Sequence, residues 1–319
     1  MALKPNSKLK VAIVSGGTSP EASVSRRSAE GVVANLATHY PRLDHFELDK
    51  NLVNNLQASA PDVIFPVLHG PPGEDGTVQG LFQMMELPFV GSDVHASAIA
   101  MDKIAAKGLF ATIGLPLAGQ YILHRHRFTN AQLSECISKL GSSLVVKPVH
   151  LGSALGVTRI QGADSLADAV SEAFLHNERL LVEAQIQGRE MTVGVLERGD
   201  QIEAFPVIEI VTPSDAWYDY EHRYTPGAST HLMPAALPND LTQALQNAAI
   251  SAHQVLGCRD LSRTDFIVDD NGEFVVLEVN TLPGMTPTSL YPEGAEGLGL
   301  AFDELLITLI EQAYHRGSR

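Results

Sequence analysis

Apolar runs and helical periodicities alternate along the first ninety residues. Lys10–Ser15 (KVAIVS) is a short apolar run closed by Gly16-Gly17, and it predicts a buried strand. Over 23–37, Val24, Ala29, Val32, Val33 and Leu36 recur at helical spacing. Residues 61–68 (PDVIFPVL) predict a second buried strand. Residues 77–87 predict a helix, with Val78, Leu81, Phe82 and Met85 on one side. Strand, helix, strand, helix in this order predicts a parallel sheet covered by helices. Ligands of such sheets bind beyond the carboxyl ends of the strands. Here those ends are the segments 15–21 and 69–76.

The middle of the chain predicts one helix over 93–113, then strand 120–123, helix 130–140 and strand 143–147. A glycine-containing loop at 152–156, strand 157–160, helix 165–174 and strand 180–184 follow. The last part predicts strands over 191–196 and 203–210, a long polar segment at 212–229, and a helix over 240–256. A hairpin, a loop over 281–299 and a terminal helix over 301–314 complete it. The class is α/β (α+β), divided as 1–95, 96–188 and 189–319.

The hairpin carries charge. Asn271-Gly272 is a strong turn signal. A turn centred there sets Asp265 opposite Glu278 and Arg263 opposite Asn280. Because side chains alternate along a strand, one face presents Arg263, Asp265, Glu278 and Asn280. The other presents Phe266, Val268, Val275, Leu277 and Val279 to a core. Two carboxylates and an amide oxygen make a hard-oxygen donor set suited to Mg²⁺. The same pattern also suits a solvated face of cross-strand charge pairs.

Charge narrows the function. The chain has 319 residues, 37 acids and 22 bases, for a formal net charge of −15. That disfavours nucleic acid and anionic membranes as partners. No lysine follows Lys147, so lysine chemistry must come from the first half. The two cysteines, Cys136 and Cys258, lack metal-ligand spacing. No apolar run reaches the ~18 residues of a membrane span, and the first residues read as a strand rather than a signal peptide. The expected compartment is the cytoplasm. Strand 143–147 ends in Lys147, and Gly152 and Gly156 follow closely. Glycines let backbone N–H groups approach phosphate oxygens, and a lysine adds a point charge; a plain hairpin turn would use the same glycines. Lys103 is a further candidate cation.

Seven motifs in order complete the pattern: GGTSPEASVS (16–25), LHGPPGEDGTVQG (68–80), GSDVHASAIAMDK (91–103), VVKP and GSALGV (145–157), WYDYEHRY (217–224), SRTDF (262–266) and LEVNTLPGMTPTSL (277–290). With these motifs the chain resembles the D-alanine–D-alanine ligases of the ATP-grasp superfamily. The resemblance implies an N-terminal parallel α/β domain and two further α+β domains that sandwich ATP. It implies two Mg²⁺ ions, with Mn²⁺ as a substitute, on Asp265, Glu278 and Asn280. Lys103, Lys147, Gly152, Ser153 and Arg223 would meet ATP phosphates. Glu183, Ala184, Ile186, Glu190, Trp217 and Leu277 would surround the nucleoside. Glu21 would hold the first ammonium, and Val24 and His69 would border the first substrate. Arg263 and the Gly284 N–H would stabilise the oxyanion, and Ser289 and Leu290 would hold the second carboxylate. Ser153 and Tyr224 would tie a mobile loop to Glu21. The implied reaction makes D-alanyl-D-alanine through a D-alanyl phosphate, for peptidoglycan precursors. The implied partners are D-alanine, ATP and a second copy of the chain; a monovalent cation is compatible with the family.

The chain departs from the family pattern in places. Arg223 stands where lysine is usual, and its planar fork is not equivalent to an ammonium. Ser153-Ala154-Leu155-Gly156 carries one hydroxyl where many members carry two. Tyr224 favours D-alanine as the second substrate over D-lactate. Trp217, the only tryptophan, is expected to report loop closure by fluorescence. Two other readings compete: an ATP-grasp ligase of other amino or hydroxy acids, and a regulatory protein on a dead ligase fold. The presence of Glu21, Arg263, Asp265 and Glu278 disfavours the last.

Overall fold

The computed structural model describes residues 4–162, 165–213, 218, 219, 222, 223, 225, 227–286 and 288–318. Trp217 and Tyr224 lie outside the described residues. Within them, the strands form three sheets.

The first sheet has the order β2-β1-β3, all parallel: β1 (Lys10–Ser15), β2 (Arg42–Glu47) and β3 (Val63–Val67). Helices α1 (Ala22–Leu36), α2 (Leu52–Ser59) and α3 (Thr77–Met84) connect or follow them. β1 and β3 fall where the apolar runs predict. β2 and α2 carry too little apolar periodicity to be predicted. In β2 no residue is fully buried, because it is an edge strand. In α2 only Leu52 and Leu56, one turn apart, are buried.

The second sheet is antiparallel, in the order β4-β7-β5-β6. It comprises β4 (Gln120–His124), β5 (Ser143–Pro148), β6 (Thr158–Gln161) and β7 (Arg179–Ala184), backed by α6 (Asn130–Leu140) and α7 (Leu166–His176). Each element lies within a few residues of its predicted place. The helix predicted over 93–113 is two: α4 (Val94–Met101) and α5 (Lys103–Thr112). Asp102 between them is extended (φ −85°, ψ 96°), and its carboxylate accepts from the N–H groups of Ile104 and Ala105. An aspartate that caps a new helix breaks a periodicity that runs straight through it. Ala100, Ala106 and Phe110 then pack with Met191, Leu245 and Phe266, under the third sheet.

That third sheet has six strands in the order β11-β10-β8-β12-β13, with β9 also on β8. Its strands are β8 (Arg189–Arg198), β9 (Gln201–Ala204), β10 (Ile208–Val211), β11 (Thr230–Leu232), β12 (Leu261–Val268) and β13 (Phe274–Asn280). The strand predicted over 203–210 is split, since Pro206 has no N–H to continue a ladder. Helix α8 (Asn239–Leu256) covers one face. The loop predicted over 281–299 contains helix α9 (Leu290–Gly297). Its Pro292, Gly294 and Gly297 conceal a helical signal, yet Tyr291 is fully buried and donates to the Val195 carbonyl at 2.9 Å.

The register of β12 and β13 is as predicted at the charged end: Arg263 faces Asn280 and Asp265 faces Glu278. It then shifts, so that Phe266 faces Val276 and Leu277 has no opposite residue. This bulge corrects the predicted core face. Phe266, Val268, Val276 and Val279 enter the core, while Val275 and Leu277 turn with Ile267 into a cleft. An extra residue re-aims the side chains beyond it.

The terminal helix α10 (Phe302–Arg316) returns to the first sheet. Leu305, Leu306, Leu309 and Ile310 share one core with Val11, Ile13 and Val32. Tyr40 donates to Glu311 Oε1 at 2.7 Å within that core. Each fully buried aliphatic side chain contributes roughly 1.5–3 kcal/mol. The two ends of the chain are therefore held together by burial.

Candidate active site

Two cavities meet where the three sheets converge. The first opens between the strand ends of the parallel sheet and the third sheet. Glu21 sits at the start of α1, and His69 and Glu74 sit in the loop after β3. Arg263, Glu278 and Asn280 project from β12 and β13; Gly284, Ser289 and Leu290 close the far wall. The second cavity lies between the two antiparallel sheets. Val145, Lys147, Glu183 and Ile186 line one side and Glu190, Ile267, Val275 and Leu277 the other. Lys103, Leu151, Tyr218, Arg223 and Glu278 border both cavities.

The loop between β5 and β6 joins the cavities. Ser153 and Ala154 have φ of 47° and 58°, and Gly156 has φ of 68°. Left-handed backbone costs a non-glycine residue roughly 1–2 kcal/mol, so tertiary contact must hold the loop. One such contact is direct: the Ser153 hydroxyl donates to the buried Glu21 carboxylate. A Cβ on Gly156 would lie 2.9 Å from Pro148, so glycine is required there.

Charges in the site are paired. Lys103 Nζ lies 3.0 Å from Glu278 Oε2 and donates to the Leu151 carbonyl at 2.7 Å. Lys147 pairs with Glu183, and so does Lys107 Nζ, at 2.7 Å. Arg159 lies 3.1 Å from Glu190. Arg263 grips Asp265 with both prongs, at 2.9 and 3.0 Å, while Thr192 donates to the same carboxylate at 2.6 Å. Arg223 lies over the Tyr218 ring at 4.5 Å.

Burial raises the pKa of Glu278, but Lys103, Arg223 and Lys147 outweigh it and bring it to about 2. The Glu183 carboxylate follows the same logic with Lys147 and Lys107, also to about 2. Glu74 is the opposite case. Burial first, and then the neighbouring Glu21 charge, push it to about 8. His69 is driven down to about 4 by burial and then by Arg263. The site thus combines ionised carboxylates near its cations with a neutral acid and a neutral imidazole at its substrate end.

Of the residues singled out in the sequence, Glu21, His69, Ser153, Arg263, Gly284, Ser289 and Leu290 converge on the first cavity, with Gly152, Glu278 and Asn280. Lys147, Glu183, Ala184, Ile186, Glu190 and Leu277 line the second. Lys103 and Arg223 serve both. Val24 is buried in α1, and Asp265 stands behind Arg263; neither lines either of these two cavities. Sequence reasoning missed Glu74, Lys107 and Tyr218. Glu74 stood within the HGPPGEDG motif, and Lys107 lies one helical turn after Lys103. Tyr218 had no local signal beyond its aromatic neighbour.

Cations, a left-handed glycine loop and an apolar slot between two antiparallel sheets define a nucleotide-dependent enzyme class. Comparison with known proteins narrows this. The D-ala D-ala ligase C-terminus family model matches residues 109–311, and the N-terminus model matches 41–92. The D-alanine–D-alanine ligase of Halalkalibacterium halodurans is 40% identical over 304 residues, covering 95% of this chain and 98% of the relative. That of Syntrophobacter fumaroxidans is 42% identical over 310 residues, covering 96% and 98%. The ATP complex of the Bacillus anthracis ligase superposes with a TM-score of 0.83 at 28% identity, over 97% of this chain and 98% of that one. A D-Ala:D-Ser ligase from Enterococcus faecalis gives 0.82 at 32%, over 96% and 99%. The chain belongs to the D-alanine–D-alanine ligase family and has its ATP-grasp fold.

Proposed function

We propose that this chain joins two D-alanine molecules, consuming ATP and releasing ADP and phosphate. The observation that carries the reading is the junction of the two cavities at Lys103, Arg223 and Glu278. A nucleotide lying between the antiparallel sheets would present its terminal phosphate to a carboxylate held in the other cavity.

In this reading Glu183, Ala184, Ile186, Glu190 and Leu277 surround the nucleoside. Lys103, Lys147, Gly152, Ser153 and Arg223 meet the phosphates. The first D-alanine sets its ammonium against Glu21, with His69 at its border. Its carboxylate oxygen attacks the γ-phosphorus, and the bond to ADP breaks, which gives D-alanyl phosphate. The second D-alanine, its carboxylate on Ser289 and Leu290, attacks the carbonyl with its amine. Arg263, whose Nη1 takes no part in the Asp265 pairing, and the Gly284 N–H receive the oxyanion. Collapse expels phosphate and forms the peptide bond. Ser153 ties the loop to Glu21 during both steps.

Asp265, Glu278 and Asn280 offer only oxygen donors, on neighbouring positions of one hairpin end. Their donor chemistry fits Mg²⁺, or Mn²⁺, with phosphate oxygens completing the shell; Asp265, now held by Arg263 and Thr192, would have to release an oxygen to join it. Such ions would neutralise the transferring phosphoryl group. No described helix is long and apolar enough to cross a membrane; a cytoplasmic place beside peptidoglycan precursor synthesis is part of the same proposal. The three sheets fall within 1–95, 96–188 and 189–319, which supports the three-domain division. A homodimer is part of the same proposal.

The likeness to a D-Ala:D-Ser ligase makes the second substrate the point to test. Phosphate release from ATP is measured with D-alanine, L-alanine, D-serine and D-lactate, singly and in pairs. D-Alanine alone is expected to give the fastest release. Faster release with the D-alanine and D-serine pair would reassign the second site, and no D-alanine-dependent release from folded protein would overturn the proposal.

A further inference from the structure

Lys107 is the least exposed lysine of the site, at 1%. A buried ammonium is costly unless it is paired and hydrogen-bonded. Both conditions are met, by different parts of the fold. Its Nζ lies 2.7 Å from Glu183 Oε1, on β7 of the four-stranded sheet. It donates to the Val276 carbonyl at 3.1 Å, on β13 of the six-stranded sheet. From α5, one lysine thus pins the two sheets that form the nucleotide cleft.

Glu183 has two cations, and they are not equivalent. Lys147 also pairs with it but lines the cleft, so it can turn to a phosphate. Lys107 does not line the cleft and is also bound to a main-chain oxygen. Glu183 Oε1 is buried and, among the described residues, has no aligned hydrogen-bond donor, although Lys107 lies beside it. Oε1 is thus held on the Lys107 side, while Oε2, paired with Lys147, is the oxygen that would come free when Lys147 turns to a phosphate.

We propose that Lys107 is a positioning residue that fixes the Glu183 carboxylate as acceptor for the exocyclic amine of the nucleotide base, and remains its counter-ion when Lys147 engages phosphate. The inference rests on the nucleotide site proposed above. Without Lys107, the buried carboxylate either keeps Lys147 from the phosphates or takes a proton. A protonated acid no longer offers that oxygen as a charged acceptor, so the preference for an amino-bearing base declines.

The test compares ATP with purine riboside triphosphate, which lacks the exocyclic amine, as substrates of the full chain with Mg²⁺ and D-alanine. For the unaltered enzyme, kcat/KM is expected to favour ATP by about tenfold or more. Lys107→Met is expected to raise the KM for ATP about tenfold and to bring the ratio of the two nucleotides within about threefold of one. The KM for D-alanine should stay within about twofold, and Lys107→Arg should restore part of the preference. Because Lys107→Met leaves a buried charge unpaired, its effect is also measured in a Glu183→Gln background. The neutral amide needs no counter-ion, so the Lys107→Met penalty there is expected to be under about twofold. An equal penalty in both backgrounds, or a single variant that folds and keeps its ATP preference, overturns the inference. An unaltered enzyme indifferent to the exocyclic amine instead refutes the placement of the base on Glu183.

Discussion

Replacing Ser153 by alanine removes one hydroxyl at the junction of the two cavities. That hydroxyl donates to a Glu21 carboxylate that is only 5% exposed. A hydrogen bond to an ionised partner contributes roughly 1.5–3 kcal/mol. Its loss falls on a loop already holding Ser153 and Ala154 in left-handed backbone, so the loop gains freedom as well. If the bond survives into the transition state, about 2 kcal/mol corresponds to roughly a 30-fold fall in kcat/KM for D-alanine. Stability should fall by less, because the loop is not part of a core. The assay is coupled ADP release over a D-alanine titration at saturating ATP, beside a thermal melt without ligand. A kcat/KM within about twofold of the unaltered enzyme would refute the reasoning. A melting point lowered in proportion to the activity would instead assign the bond to folding.

Other expectations follow from single contacts. Tyr40→Phe removes one of two 2.7 Å donors to the buried Glu311 Oε1, the Asn6 N–H being the other; urea unfolding should show a loss of about 1–3 kcal/mol with activity retained at low temperature. His253 is held neutral by burial, its pKa lowered from 6.5 to about 4. Because the unfolded chain takes the proton first, that stability is present above pH 6.5 and is lost as pH falls towards 4. Full expression of the shift is worth about 3 kcal/mol. His253→Asn, which keeps an acceptor near Ser262, should flatten the urea-midpoint profile across that window; an unchanged slope would assign the acid sensitivity elsewhere. Glu278→Gln should abolish turnover while circular dichroism stays unchanged, since the residue faces the cavities and borders the core only through its neighbours. Retained turnover would remove Glu278 from the site.

The sequence made the strands of the cleft legible because apolar runs and turn signals coincide there. The charged pairs of the hairpin follow from Asn271-Gly272 and strict alternation, and the register at Asp265 and Glu278 agrees. The same reasoning fails one pair further on, since nothing local marks Leu277 as an extra residue. That bulge is what turns Val275 and Leu277 from the predicted core face into the cleft. Edge position hides β2, and a capping aspartate hides the break before Lys103. Lys107 was invisible for a different reason. A lysine on an amphipathic helix reads as solvated until two sheets are seen to close over it.

In the proposed reaction the two cavities act together, and a D-alanine carboxylate takes the γ-phosphoryl group before the second amine arrives. D-Alanine labelled with ¹⁸O in both carboxylate oxygens tests this directly. The enzyme is incubated with unlabelled ATP, Mg²⁺ and the labelled substrate, and released phosphate is analysed by mass spectrometry. One ¹⁸O is expected in each phosphate formed, with the remaining label in the dipeptide. Unlabelled phosphate accompanying dipeptide formation would contradict it.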